Sequence, residues 1–237
     1  MSASAILAVR DIHTAYGLSR VLFGVSIEVH AGECVCLLGR NGVGKSTTMR
    51  SIMGLTPPHA GTIVWRGRDI TGWAPYRVAR AGIGFVPEDR RIFADLTVLE
   101  NLDVAQRAAR GPGAWTVERV FDLFPKLGEL TRRNGGFLSG GEQQMLTIAR
   151  TLIGNPELLL LDEPSEGLAP IVVDHLHDQI ARLKREGLTI LLAEQNTEFS
   201  LTLGDRAYVL EKGTIRFSGP AAALRDDEQL RHELLAL

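Results

Sequence analysis

Nine consecutive residues, Gly39-Arg40-Asn41-Gly42-Val43-Gly44-Lys45-Ser46-Thr47, follow the pattern Gly-x-x-x-x-Gly-Lys-[Ser/Thr]. A loop of this kind turns backbone N–H groups toward a polyphosphate at the positive end of a helix. Lys45 is then spaced to reach the outer phosphates and Ser46 to offer a hydroxyl to Mg²⁺. A second group lies far along the chain, where the apolar run ending Leu161-Asp162-Glu163-Pro164 carries two carboxylates. The tip of a buried strand is where open α/β sheets keep ligands and catalytic groups. Asp162 suits the Mg²⁺ shell, and Glu163 suits polarising a water that attacks a γ-phosphate, a proton-transfer role worth roughly 10²–10⁴ in rate. A third group is Leu138-Ser139-Gly140-Gly141-Glu142-Gln143-Gln144. Ser139 with Glu142 three residues later is a capping box. The two glycines are not explained by a cap, since each costs up to ~1 kcal/mol against Ala inside a helix. They call for the close approach of another backbone or of an anion.

These groups need elements to hold them. Cys34-Val35-Cys36-Leu37-Leu38 is an unbroken apolar run before the phosphate loop, as expected of a parallel strand buried on both faces, and residues 47–55 carry Met49, Ile52 and Met53 at helical spacing. Residues 5–30 read as strands, with Val25, Ile27 and Val29 alternating with polar residues, and Thr62 to Trp65 joins them in a small antiparallel layer. Ile83-Gly84-Phe85-Val86 is a strand broken by Pro87. From there the composition is helical as far as Asn155: Thr97-Val98-Leu99-Glu100 is a capping box, Gly111-Pro112-Gly113 a break, and Val117, Val120, Phe121 and Phe124 an apolar face. The last helix of this stretch carries Met145, Ile148, Ala149 and Leu152 and stops at Gly154. Core strands resume at Leu158 to Leu161 and Thr189 to Ala193, with a helix from Ile171 to Glu186 between them. A hairpin (207–217) and one short helix close the chain. The expected fold is α/β: a P-loop NTPase core of the RecA-like kind (1–87 and 156–237), a small antiparallel β layer, and an inserted helical subdomain (88–155), together one domain over 1–237.

The net charge of −2, from 26 Lys+Arg against 28 Asp+Glu, gives no general attraction to nucleic acid or to an anionic membrane. The two cysteines, Cys34 and Cys36, read as small buried apolar residues in a reducing compartment, and His175 and His177 as solvated surface. No apolar run reaches the ~18–20 residues that span a bilayer, and no secretory leader is legible at the N-terminus. A cytosolic protein is expected.

Leu138-Ser139-Gly140-Gly141-Glu142 resembles the signature of the ATP-binding-cassette (ABC) ATPases, and the resemblance covers essentially the whole chain. It implies an ATPase using ATP and Mg²⁺, in which two nucleotide-binding domains pack head to tail. Each ATP would lie between residues 39–47 of one protomer and Ser139, Gly140, Gly141 and Glu142 of the other. Tyr16 matches the aromatic that stacks on adenine, although a buried core tyrosine fits the sequence alone. Three further stretches, Val86-Pro87-Glu88-Asp89-Arg90-Arg91-Ile92-Phe93, Asp162-Glu163-Pro164-Ser165-Glu166-Gly167-Leu168-Ala169-Pro170 and Ala193-Glu194-Gln195-Asn196, resemble one ATPase subunit of branched-chain amino-acid importers. They depart from the wider family, with Glu88 where a Gln is usual, Ala169 where an Asp is usual and Gln195 where a His contacts the γ-phosphate. The resemblance makes Glu88 a further Mg²⁺ ligand, direct or through water, and Gln195 the γ-phosphate sensor.

It also implies a peripheral subunit on the cytoplasmic face of the cell membrane. The partners would be a second, related ATPase subunit, two membrane permease subunits docking around 88–101 with Arg90, Arg91 and Phe93 as contacts, and indirectly an extracytoplasmic substrate-binding protein. A urea or short-amide importer subunit, a non-transport ABC ATPase and a non-hydrolysing ATP-binding module are the alternatives.

Overall fold

The computed structural model describes residues 5–106 and 113–235. Two long strands, β1 (Leu7–Tyr16) and β2 (Ser19–Val29), open the chain as an antiparallel pair, with Val25, Ile27 and Val29 of β2 buried and Ser26 and Glu28 exposed. β3 (Cys34–Leu38) is buried at every residue and leads through the phosphate loop into α1 (Lys45–Ile52). β4 (Ala60–Trp65) and β5 (Arg68–Asp69) complete a four-stranded sheet of order β2-β1-β4-β5. The short helix α2 (Pro75–Arg80) was not expected from the sequence. It starts on a proline whose fixed φ suits a first turn, and it precedes β6 (Ile83–Val86).

Among the described residues four helices follow, α3 (Val98–Ala105), α4 (Val117–Leu123), α5 (Pro125–Glu129) and α6 (Gly140–Ile153), with a 3-10 turn at Gly135–Phe137. Of the expected break at 111–113, Gly111 and Pro112 lie outside the described residues. The chain then returns through β7 (Leu158–Asp162), α7 (Pro170–Arg185), β8 (Thr189–Glu194), α8 (Thr197–Leu203), β9 (Arg206–Glu211) and β10 (Thr214–Pro220). It ends on two short helices rather than the expected one, α9 (Ala221–Asp226) and α10 (Glu228–Leu235).

The main sheet has the order β10-β9-β3-β8-β7-β6. β3, β8, β7 and β6 run parallel, and β9 runs parallel to β3, so the closing hairpin is an extension of the main sheet. Alternation along each strand explains why these runs are apolar throughout. Cys34, Cys36, Leu159, Leu161, Ile190 and Leu192 face a core shared with α3 to α9. Val35, Leu37, Leu158, Leu160, Leu191 and Ala193 face a second core shared with α1 and the antiparallel sheet. Truncating any one of the buried leucines to alanine costs about 2–5 kcal/mol. Cys34 and Cys36 are free thiols with no exposure, as expected, and Cys36 Sγ contacts the carbonyl of Ser200 at 3.2 Å.

The stretch 87–96, expected to be helical, is an irregular loop. Arg90 and Arg91 have φ of 58° and 30°, outside the helical region. The loop is held by Asn101 of α3, fully buried, whose Oδ1 accepts the N–H of Phe93 at 2.9 Å. Its Nδ2 donates to the carbonyls of Phe93 (2.9 Å), Leu96 (3.1 Å) and Thr97 (3.0 Å). Replacing Asn101 with leucine preserves volume but strips these backbone groups of their partner at about 1–3 kcal/mol for each one left unsatisfied. Asn101→Leu is therefore expected to lower unfolding free energy in urea by more than about 2 kcal/mol, and a midpoint equal to wild type would contradict this account of the loop.

Candidate functional site

Parallel pairing sets the register that builds the site. Leu38, the last residue of β3, is opposite Glu194 of β8, and Asp162, the last residue of β7, is opposite Ala193. Three neighbouring strands therefore end level, and the phosphate loop, Asp162-Glu163 and Glu194-Gln195 emerge side by side. Gly39 turns the chain off β3 at a φ of 149°, and a Cβ there would lie 2.4 Å from the carbonyl oxygen of Leu210, so no other residue fits. α1 begins with no side-chain cap and no acidic residue in its first turn, an arrangement that leaves its N–H groups to an anion.

Lys45 Nζ donates to the carbonyls of Gly39 at 2.6 Å and Arg40 at 3.0 Å, and pairs with Glu163 Oε1 at 2.9 Å. Lys45, expected on the outer phosphates, here lies folded onto its own loop and the carboxylate. Both partners of this pair are almost buried. Glu163 itself has a φ of 47°, held by its N–H donating to the carbonyl of Ala193 at 2.9 Å.

Ser46 Oγ donates to Asp162 Oδ1 at 2.9 Å. Burial raises the pKa of Asp162 to about 6 against the bond from Ser46, and the charges of Glu163 and Glu88 add to the rise. Glu166, hydrogen-bonded to Glu163 and close to further carboxylates, is pushed up as well. The site thus carries an excess of negative charge around one lysine. Ser46, Asp162 and Glu88 are hard oxygen donors of the kind that suit Mg²⁺, which keeps water and phosphate in most of its six positions. Among the described residues no group of three or more His, Cys, Asp or Glu is arranged to hold a metal by itself.

A cleft of about 500 Å³ opens between the tips of β7 and β8, lined by Glu163, Ser165, Glu166, Glu194 and Gln195 among others. Gln195 is exposed there and free of core packing, so its amide can donate to a ligand in the cleft. Glu194 was quoted in the sequence without a role. Its signal is a carboxylate closing the strand Thr189–Glu194, otherwise apolar after its threonine, and it is buried with Ser165, Gln195 and Asn196 around it. Tyr16 is 44% exposed, which removes the core-tyrosine alternative. Burial raises its pKa, but hydrogen bonds with Thr47, Thr56 and Arg50 outweigh this and leave it below the ordinary phenol value, beside the phosphate loop.

Ser139 caps α6 as expected: its N–H donates to Glu142 Oε2 at 2.8 Å and its Oγ accepts the N–H of Glu142 at 3.3 Å. The two glycines are approached by side chains of this same chain. A Cβ on Gly140 would sit 2.7 Å from Arg90 Nη1, and one on Gly141 2.7 Å from Val172 Cγ1. Arg90 Nη2 also donates to the carbonyl of Glu166 at 3.0 Å. It is half-buried, with its guanidinium engaged within this chain. Arg91 pairs with Asp89 at 2.8 Å, and Phe93 is exposed beneath the guanidinium of Arg150. Ala169 is the N-cap residue of α7 and donates no side-chain bond.

A family model described as "ABC transporter" matches residues 22–166. Three relatives cover nearly the whole chain. The branched-chain amino acid transport ATP-binding protein BraG of Pseudomonas aeruginosa is 42% identical over 97% of this chain and 99% of its own. The probable branched-chain amino acid transport ATP-binding protein LivF of Archaeoglobus fulgidus is 36% identical over 92% and 93%. The lipopolysaccharide export system ATP-binding protein LptB of Haemophilus influenzae is 34% identical over 98% and 97%. Among solved structures, the ADP conformation of MJ1267, an ATP-binding cassette of an ABC transporter, aligns with a TM-score of 0.80 at 28% identity over 97% of this chain and 98% of that one.

The raised Asp162 carboxyl has a consequence for stability. Its folded pKa of about 6 exceeds the ordinary value of 3.8, so the folded state holds this proton more tightly than the unfolded state. The penalty for keeping it ionised is fully present above pH 6 and is relieved as pH falls through the folded value toward the unfolded one. In chelator-containing, nucleotide-free buffer, Asp162→Asn is expected to melt above wild type at pH 7.5, with the gap closing by about pH 4. A gap that is absent, or that widens on acidification, would show that Asp162 is not strained by its surroundings.

Proposed function

The chain belongs to the ABC transporter family of ATPases, and from that premise we propose that it energises uptake of branched-chain amino acids through separate membrane subunits. The ATPase belongs to the family. The choice of cargo rests on one observation, the near full-length similarity to BraG at 42% identity. Export of lipid is the second reading, favoured by the similarity to LptB, and urea or short-amide import is a third. The chain acts at the cytoplasmic face of the membrane, and among the described residues no helix is long and apolar enough to cross it.

ATP lies with its phosphates on the loop 39–47 and its base against Tyr16. Lys45 moves from Glu163 to the outer phosphate oxygens, and Glu163, released from that pair, takes a proton from the attacking water as the new bond to the γ-phosphorus forms and the bond to the ADP oxygen breaks. Gln195 donates its amide N–H to a γ-phosphate oxygen. Ser46, Asp162 and Glu88 would hold Mg²⁺, which when bound offsets charge on the β- and γ-phosphates. Ser139, Gly140, Gly141 and Glu142 serve the ATP of a second cassette, a related subunit, so that two sites form between two domains. The helical subdomain, 88–155, carries that signature and receives the membrane subunits, while an extracytoplasmic binding protein delivers the cargo to them.

The docking surface extends from the expected loop, whose Phe93 lies beneath Arg150, into an adjoining groove. A groove of about 590 Å³ is lined by Leu55, Tyr76, Arg80, Phe85, Val104 and Arg150, with Tyr76 and Val104 each 61% exposed. Arg150 Nη1 is buried there without a hydrogen-bond partner among the described residues, which suits an acidic residue on an otherwise apolar cytoplasmic helix of the membrane subunit.

Glu163→Gln is expected to leave ATP binding intact and to lower turnover of the assembled transporter by at least about 10²-fold, the low end of what a positioned base supplies. Unchanged turnover would remove Glu163 from the reaction. Single cysteines at Tyr76 and Val104, read against the two buried native thiols, are expected to crosslink to a cytoplasmic helix of the membrane subunit, and failure at both would displace the docking surface. ATP-driven uptake of leucine, isoleucine or valine by vesicles carrying the complex decides the cargo. Native mass spectrometry of that complex is expected to show this chain beside one related cassette, and two copies of this chain alone would contradict the pairing.

A further inference from the structure

We propose that Glu194 is a positioning residue of the ATPase reaction, a carboxylate clamp that fixes Glu163 and Gln195 relative to each other. The inference rests on the reading that those two residues act on the γ-phosphate. Glu194 ends β8 with 2% of its surface exposed. Its Oε1 accepts the backbone N–H of Ser165 at 3.0 Å. Its Oε2 accepts the backbone N–H groups of Gln195 at 3.1 Å and Asn196 at 3.2 Å. Ser165 lies two residues past Glu163, and Gln195 follows Glu194 directly, so one carboxylate ties the loop after β7 to the loop after β8.

The tie falls where the backbone needs it. Glu163 sits at a φ of 47°, a conformation that a residue with a side chain keeps only when its surroundings over-determine it. One constraint is its own N–H on the Ala193 carbonyl at 2.9 Å, and the other is the anchored Ser165 downstream. On the opposite side the clamp fixes the start of α8, where Asn196 Oδ1 accepts the N–H of Phe199 at 3.1 Å. A buried carboxylate with two oxygens can serve both loops together, and no neutral side chain of similar size can. Glu194 does not itself reach the phosphate loop through any of these bonds, so its influence is on the reacting geometry and leaves nucleotide affinity to residues 39–47 and Tyr16.

Glu194→Gln is the informative change. A carboxamide has one acceptor oxygen, and its NH₂ would face the N–H groups of whichever loop the oxygen does not serve. Glu194→Asp keeps two acceptors on a shorter stem. In the assembled transporter, Glu194→Gln is expected to lower kcat about 10–100-fold, the range that a displacement near 1 Å produces. ATP affinity should stay at the wild-type value while the melting temperature falls with the lost backbone partners, and Glu194→Asp should recover part of kcat. Gln195→Ala added to Glu194→Gln should lower kcat by less than it does alone, because the two changes act through one geometry.

Wild-type kcat in Glu194→Gln, fully additive losses, or a fall in ATP affinity parallel to that in kcat would each overturn the clamp. Should the Gln variant fail to fold, the Asp variant decides: a reduced kcat at unchanged ATP affinity supports the clamp, and an unaltered kcat overturns it. Glu163→Gln is measured alongside. If it retains turnover, the underlying reading fails, and if it is inactive while Glu194→Gln turns over normally, only the clamp fails.

Discussion

The parallel ladder β3-β8-β7 is the constraint on which the rest depends. Parallel neighbours cannot be joined by a tight turn, so each strand must return by a crossover, and every crossover leaves from the same end of the sheet. In this chain the crossover after β3 begins with the phosphate loop, and the strands beside it end at Asp162 and Glu194 in matching register. Residues far apart in sequence are thereby delivered to one edge without any side-chain contact having to find them. The long helical excursion between β6 and β7 does not disturb this, because β6 lies at the far edge of the sheet from β10 and pairs only with β7.

At that edge the electrostatics are unbalanced. Among the described residues Asp162, Glu163 and Glu194 are nearly buried, Glu88 stands close enough to raise Asp162 and Glu166, and Lys45 is the buried cation. Buried ions of one sign are costly unless paired. The chain meets this by giving each carboxylate donors of its own: Ser46 for Asp162, Lys45 for Glu163, backbone N–H groups for Glu194. Charge held in this way is suited to receive a polyphosphate that brings its own cation, since Lys45 is the donor that has to change partners while those of Asp162 and Glu194 lie in the same chain.

Much of this was legible before any coordinates. Runs such as Cys34 to Leu38 and Leu158 to Leu161 announce strands buried on both faces, and the caps at Thr97 and Ser139 announce helix starts, because each signal is local and survives packing. The phosphate loop and the two carboxylates are likewise local. Failures arose where a distant partner decides. Residues 87–96 look helical in composition, yet Asn101 recruits their carbonyls and N–H groups into a loop. No spacing announces that Arg90 and Val172 stand beside Gly140 and Gly141. Glu194 was visible only as an odd carboxylate on an apolar strand, because its partners include Ser165, which no spacing rule connects to it. α2 has too few residues for periodicity to reveal it.

The seat of Arg90 carries a consequence for how distant parts of this chain are coupled. Its guanidinium fills the space a side chain at position 140 would need and, from the same place, holds the carbonyl of Glu166. That guanidinium is the far end of a flexible side chain, so an alanine at 140 can be admitted if it swings aside, at the cost of its bond to the Glu166 carbonyl. A change in the first turn of α6 would then be felt in the loop after β7, through a residue that belongs to neither.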